Sequence, residues 1–259
     1  MTLRRFVILC SVLMFAARSA CFGAEPGTAA VSAFNTYIGT VESRLAQQHR
    51  SPNAFLDPTV LTPRDKTRLC RGDLIIERLT PETGTALQGA LLHDWRGTAF
   101  IAGAKATDFE RLLRDFDGYP KYFSPEVVQA RLVAQHDGDF QVLMRVRQKH
   151  VITVVLDTTY DVTFGKLDER HGYSTSRSTR ISEVGSRDAE RVLWRLNTYW
   201  SYEERDGGLY VQIESVSLTP SIPYGLRWAV GPYLESIPRG SLEFTVRSVC
   251  NALRNGERH

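Results

Sequence analysis

The sequence predicts an α+β domain in which a long antiparallel sheet is covered by a C-terminal helix. Two observations predict it. Between Val127 and Leu218 the chain is a series of strand-like runs divided by glycine turns, with apolar and polar residues alternating as they do in a sheet covered on one face. After Leu226 the apolar spacing changes to threes and fours and stays there for some thirty residues, which is the period of a helix.

In chain order, the first segment reads as a removable leader. Arg4 and Arg5 precede an apolar run from Phe6 to Ala17, and small residues follow as far as Ala24. That order is the layout of a secretory signal peptide. The apolar run is shorter than the roughly 20 residues that a spanning helix needs. Residues 1–24 are therefore read as leader, cut after Gly23 or Ala24, and the mature chain as exported to the periplasm or cell envelope. The formal charge of +3 resides in Arg4, Arg5 and Arg18, which leaves the mature part balanced. A balanced domain gives no sign of the clustered basic patch that nucleic acid requires.

Residues 25–90 read as a helical extension wrapped on the main domain. Val31, Phe34, Ile38, Val41 and Leu45 share one side of an amphipathic helix, and a less regular, proline-punctuated stretch follows. The main domain, residues 91–254, opens on an extended run from Leu91 to Ala102. Thr107 and Glu110 then have capping-box spacing for a short helix with Phe109, Leu112, Leu113 and Phe116 inside. Asp117-Gly118 and Pro120 should stop it. About six strands follow, the Asp206-Gly207-Gly208 turn among their reversals. In the last helix Leu226, Val230, Tyr233 and Ile237 continue into Leu242, Val246, Val249 and Leu253, with a kink anticipated at Pro232. Residues 255–259 form a polar tail.

Three stretches carry a family resemblance: FERLLRDFDGYPKYFSPEVVQARLV (Phe109 to Val133), the turn Asp206 to Gly208, and SLTPSIPYGL (Ser217 to Leu226). With the order of elements, they resemble the START-like (SRPBCC) superfamily of helix-grip proteins, including polyketide-cyclase-like and coenzyme-Q-binding members. The resemblance implies a curved antiparallel sheet gripping the long helix, with an apolar ligand between them. It specifies fold more than function, because one fold hosts many chemistries.

On this reading the ligand wall comprises Met144, Val146, Leu156, Tyr160, Trp194, Leu196, Trp200 and Ile213, facing Trp228 of the last helix. Thr198 and Ser215 are its candidate polar groups, and a cavity of about 300 to 1,000 Å³ is the usual scale. Trp200→Ala should then affect ligand retention more than Arg195→Ala. Arg145, Arg147, Lys149, Arg177, Arg180 and Arg195, interspersed with acids such as Asp157, Asp161 and Glu214, read as a solvated outer face. His93, His136, His150 and His171 lie near turns and read as exposed. No metal-ligand or nucleophile motif is present, so neither metal nor cofactor is called. The function read from the chain is binding or carriage of a hydrophobic small molecule or lipid. The alternatives are a cyclase, aromatase or hydrolase using the same cavity, or an envelope interaction module, and transient membrane-surface contact stays open. Cys70 and Cys250, the cysteines outside the leader, are either bonded or free thiols.

Overall fold

The computed structural model describes residues 25–57, 59, 61–80, 85–87, 89–149, 153–185, 192–221 and 227–256. Residues 1–24, where a leader was expected, lie outside them. Helix α1 (Thr28–Gln48) is followed by α2 (Pro63–Cys70), then by strands β1 (Ile75–Arg78), β2 (Thr85–Leu87) and β3 (Ala90–Ala102). Helix α3 (Ala106–Arg114) and the single turn α4 (Tyr119–Tyr122) lead into β4 (Val127–His136), β5 (Asp139–Lys149), β6 (Thr153–Asp168), β7 (His171–Glu183), β8 (Arg195–Arg205) and β9 (Gly208–Pro220). Helix α5 (Arg227–Gly256) closes the described chain as one continuous helix through Pro238. The side chains around Pro232, where a kink was anticipated, lie outside the described residues.

The sheet is antiparallel, in the order β1-β3-β9-β8-β7-β6-β5-β4, with β2 also on β3. The α+β fold with a long C-terminal helix is as the sequence predicts. At the β8–β9 reversal Asp206 and Gly207 take φ of 55° and 73°, the left-handed pair that matches a hairpin to strand twist. At Gly97 the helix comes close: a β-carbon there would stand 3.0 Å from Val246 and 3.4 Å from Leu242.

Two local expectations are corrected. Thr107 and Glu110 form no capping box, because α3 begins at Ala106, whose amide donates to Glu204 Oε2 at 2.9 Å. A carboxylate from β8 thus supplies the acceptor that a local cap would have supplied. Nor does Pro120 end the helical region, since it sits in the first turn of α4, where its missing amide costs nothing.

The larger correction concerns the second face of the sheet. Alternation predicts a wet outer face, yet α1 lies on it: Ala30, Phe34, Ile38, Val41 and Leu45 pack with Leu92, Tyr199, Val216 and Leu218. Polar residues there are paired, and several are buried. Arg44 reaches Glu214 at 2.5 Å, and Glu214 is 2% exposed. Arg96 bonds Asp57 and Glu77, Arg177 bonds Glu42 of α1, and Gln212 donates to Thr98. The solvated reading holds at the margin of the extension, where Arg177 stays exposed while bonded to Glu42, and beyond it, as in the half-exposed Arg145–Asp157 pair.

Candidate ligand recess

Register assigns side chains to faces, because directly opposed residues of neighbouring strands point the same way. On the face toward α5 it aligns Val142 with Tyr160, Met144 with Thr158, Val146 with Leu156, Leu196 with Ser217, Thr198 with Ser215, and Trp200 with Ile213. Ten of the eleven predicted wall residues thus fall on described side chains, and nine of those ten lie on one face. The exception is Trp194. It precedes β8 and packs into the α1 cluster on the opposite side with Tyr199 and Leu218. Strand alternation did not apply because Trp194 is not in the strand. The side chain of Trp228 lies outside the described residues, so its role facing the wall stays an expectation.

The nine do not share one environment. Trp200 and Ile213 belong to a closed core with Trp95, Phe109, Val211, Leu242, Val246 and Val249, and Phe109 meets the Trp200 ring edge-on at 5.2 Å. Trp200 is therefore packed in a core as well as facing the wall side, so its truncation reads out stability alongside retention. Tyr160 belongs to a second closed core with Phe116, Phe140, Val142 and Val162. Between the two cores, Met144, Val146, Leu196, Thr198 and Ser215 face the helix side yet remain only half-buried. Ser176, opposed to Thr198, does the same. Met144 and Leu196 also pack against the second core, so the strip is a half-buried, inward-facing band between the two, the kind of surface from which a recess is lined.

Ser176 and Trp95 were not among the wall residues named from sequence. The alternation Ser174, Ser176, Ser178 is visible in the chain, but which of its faces points inward depends on strand pairing. His93 and His171 are corrected from exposed to buried, at 3% and 8%. His171 is held by Asp168 at 2.7 Å, whereas His136 is exposed as expected; His150 lies outside the described residues. On the α1 side His49 contacts the Ser201 hydroxyl at 2.7 Å and stacks on Tyr173. Its burial, with Arg44 adding to it, lowers its pKa to about 4. Ser201 itself is 3% exposed, on the α1 side of the sheet and away from the strip described above.

Cys70 and Cys250 are free thiols, which resolves the open choice against a bond. They belong to opposite faces of the sheet. Cys250 is buried among the α5 residues of the inner core, whereas Cys70 is exposed at the end of α2, beside Tyr210 on the outer face. Burial raises the Cys250 pKa as well. In the chain from Glu25 onward, a thiol reagent should label Cys70 within minutes and Cys250 only after denaturation. Equal labelling of both in the native state would contradict this placement.

No family model matches the chain, and no curated protein matches it. Among solved structures it is similar to a STAR-related lipid transfer protein fragment from Xanthomonas axonopodis, at 17% identity over 66% of this chain and 97% of that one, with a TM-score of 0.45. It is similar also to a START superfamily protein from Mycobacterium smegmatis, at 12% identity, 62% and 97% coverage and a TM-score of 0.44. The Zhui aromatase/cyclase from a Streptomyces species is matched at 13% identity, 63% and 94% coverage and a TM-score of 0.42. The order of elements described above, an antiparallel sheet interrupted after its first strands by short helices and closed by one long helix, is that of the START-like, helix-grip fold.

Proposed function

We propose that the protein binds or carries an apolar small molecule or lipid between the sheet and α5, in the cell envelope after removal of residues 1–24. The observation that supports the site is the half-buried strip: Met144, Val146, Leu196, Thr198 and Ser215 face the covered side of the sheet and keep partial exposure between two packed cores. Export rests on the leader's layout alone, and N-terminal sequencing of the secreted form tests it, Met1 retained being the result against it.

Mass spectrometry of organic extracts from protein purified out of its native envelope should find an apolar molecule in near-stoichiometric amount. Leu196→Trp separates a recess from a loosely packed core. In a recess the added rings occupy free space, so ligand retention falls at least about tenfold while stability changes by less than about 1 kcal/mol. Within a filled core the same overpacking costs about 1 to 3 kcal/mol, and that result would count against the proposal.

A further inference from the structure

Four neighbouring strands place one hydrogen-bonding side chain each in a single row across the recess. Ser176 of β7 opposes Thr198 of β8, Thr198 opposes Ser215 of β9, and Ser215 opposes Trp95 of β3. Strands lie about 4.8 Å apart, so the row is roughly 14 Å long. The adjacent row, Gly97, Ile213, Trp200 and Ser174, is where Leu242 and Val246 of α5 come down on the sheet. The polar row begins one step beyond that contact.

Its Trp95 end is distinctive. Trp95 is 7% exposed and its indole Nε1 is buried with no hydrogen-bond partner. A buried donor without an acceptor costs free energy that a bound acceptor recovers. The guanidinium of Arg78, opposed to Trp95 in the register, lies over the ring face at 4.6 Å. The three hydroxyls can each donate or accept, and among the described residues no carboxylate stands in the row. This suits oxygen atoms that carry no charge. An ionised ligand group among the hydroxyls would need a cation beside them, whereas Arg78 stands at the far end of the row, on β1 beyond Trp95.

We infer that the ligand is an uncharged, oxygen-bearing apolar molecule, a ketone, ester or alcohol, lying across the strands with an oxygen accepting the Trp95 indole N–H and others along Ser215, Thr198 and Ser176. The inference rests on the recess reading and specifies its chemistry.

Three probes on the whole mature chain test it: an ethyl ketone of dimethylaminonaphthalene, the propyl analogue without the carbonyl, and the corresponding naphthoate. The ketone should bind tightest, with the red-shifted emission of a hydrogen-bonded carbonyl. Trp95→Phe, which keeps the ring but not the donor, should weaken the ketone roughly 2- to 10-fold, the span of one net hydrogen bond, and shift its emission to the blue. It should leave the propyl analogue unchanged. Thr198→Val and Ser215→Ala should act in the same direction and decide the matter if Trp95→Phe does not fold, as judged by melting without probe. Equal binding of ketone and analogue, unaffected by the variants, would overturn the row while leaving the recess intact. Preference for the naphthoate would overturn the uncharged class, and failure of all three probes would overturn the recess itself.

Discussion

Phe34→Ala is expected to destabilise the protein by about 3 to 5 kcal/mol, read from urea denaturation. Phe34 lies on α1, is 3% exposed, and packs against residues of β3, β8 and β9 that would otherwise face water. Truncating a buried phenylalanine loses its transfer energy and leaves a cavity. Against a typical stability of about 5 to 15 kcal/mol, that is a large fraction. The same helix caps buried acids through Arg44 and Tyr37, so any loosening brings water to Glu214 and Asp94 as well. Ser43→Ala, on the exposed side of α1, should stay within about 0.5 kcal/mol. Equal small effects at both positions would mean that the extension is an appendage rather than a layer of the domain.

How legible this was from sequence differs by element. The six strands from β4 to β9, the helix at each end and the inward face of β5 and β6 follow from short-range periodicity, and there the reading and the structure agree. Strands β1 and β2, too short to show a period, fall in the stretch 25–90 that was expected to be helical and instead join the sheet beside β3. What periodicity cannot give is what covers a face. Glu214 and Asn197 alternate with apolar neighbours as solvated residues do, and only the docking of α1 turns them into buried, paired groups. Trp194 misled for a related reason, since its face depends on where β8 begins. The recess shows the same limit. Thr198 and Ser215 were identifiable as polar interruptions of an apolar face, but the row they form with Ser176 and Trp95 exists only once four strands are in register. Those partners are separated by 17 to 120 residues in the chain.

The outer face also makes stability depend on pH, and Asp94→Asn should remove that dependence between pH 6.5 and 8. Asp94 is 1% exposed, and the Tyr37 hydroxyl donates to its Oδ2 at 2.8 Å. Burial first, and then the negative charge of Glu214, push its pKa up to about 8 from the usual 3.8. The folded state therefore holds a proton that the unfolded state has already released. Stability contributed this way is full below pH 3.8 and is lost as pH rises to 8. His49 acts in the other direction, because its folded pKa of about 4 lies below the usual 6.5 and favours the unfolded state as pH falls from 6.5 to 4. The two slopes oppose each other below pH 6.5, and only that of Asp94 continues above it. Glu126, raised by burial to about 7, adds to the same fall, but it is half-solvated and mostly finished by pH 7. Asp157, held down by Arg145, and Asp168, held down by His171, titrate well below this window. From pH 6.5 to 8 the protein should thus lose about 2 kcal/mol, the linkage value of 1.5 pKa units. Asparagine can accept from Tyr37 as the protonated acid does, and it cannot ionise. The Asp94→Asn variant should then match the parent near pH 6.5 and exceed it by about 2 kcal/mol at pH 8, in urea midpoints measured across the range. Parallel curves for the two proteins would show that Asp94 is already ionised beneath α1 and that Arg44 neutralises both carboxylates.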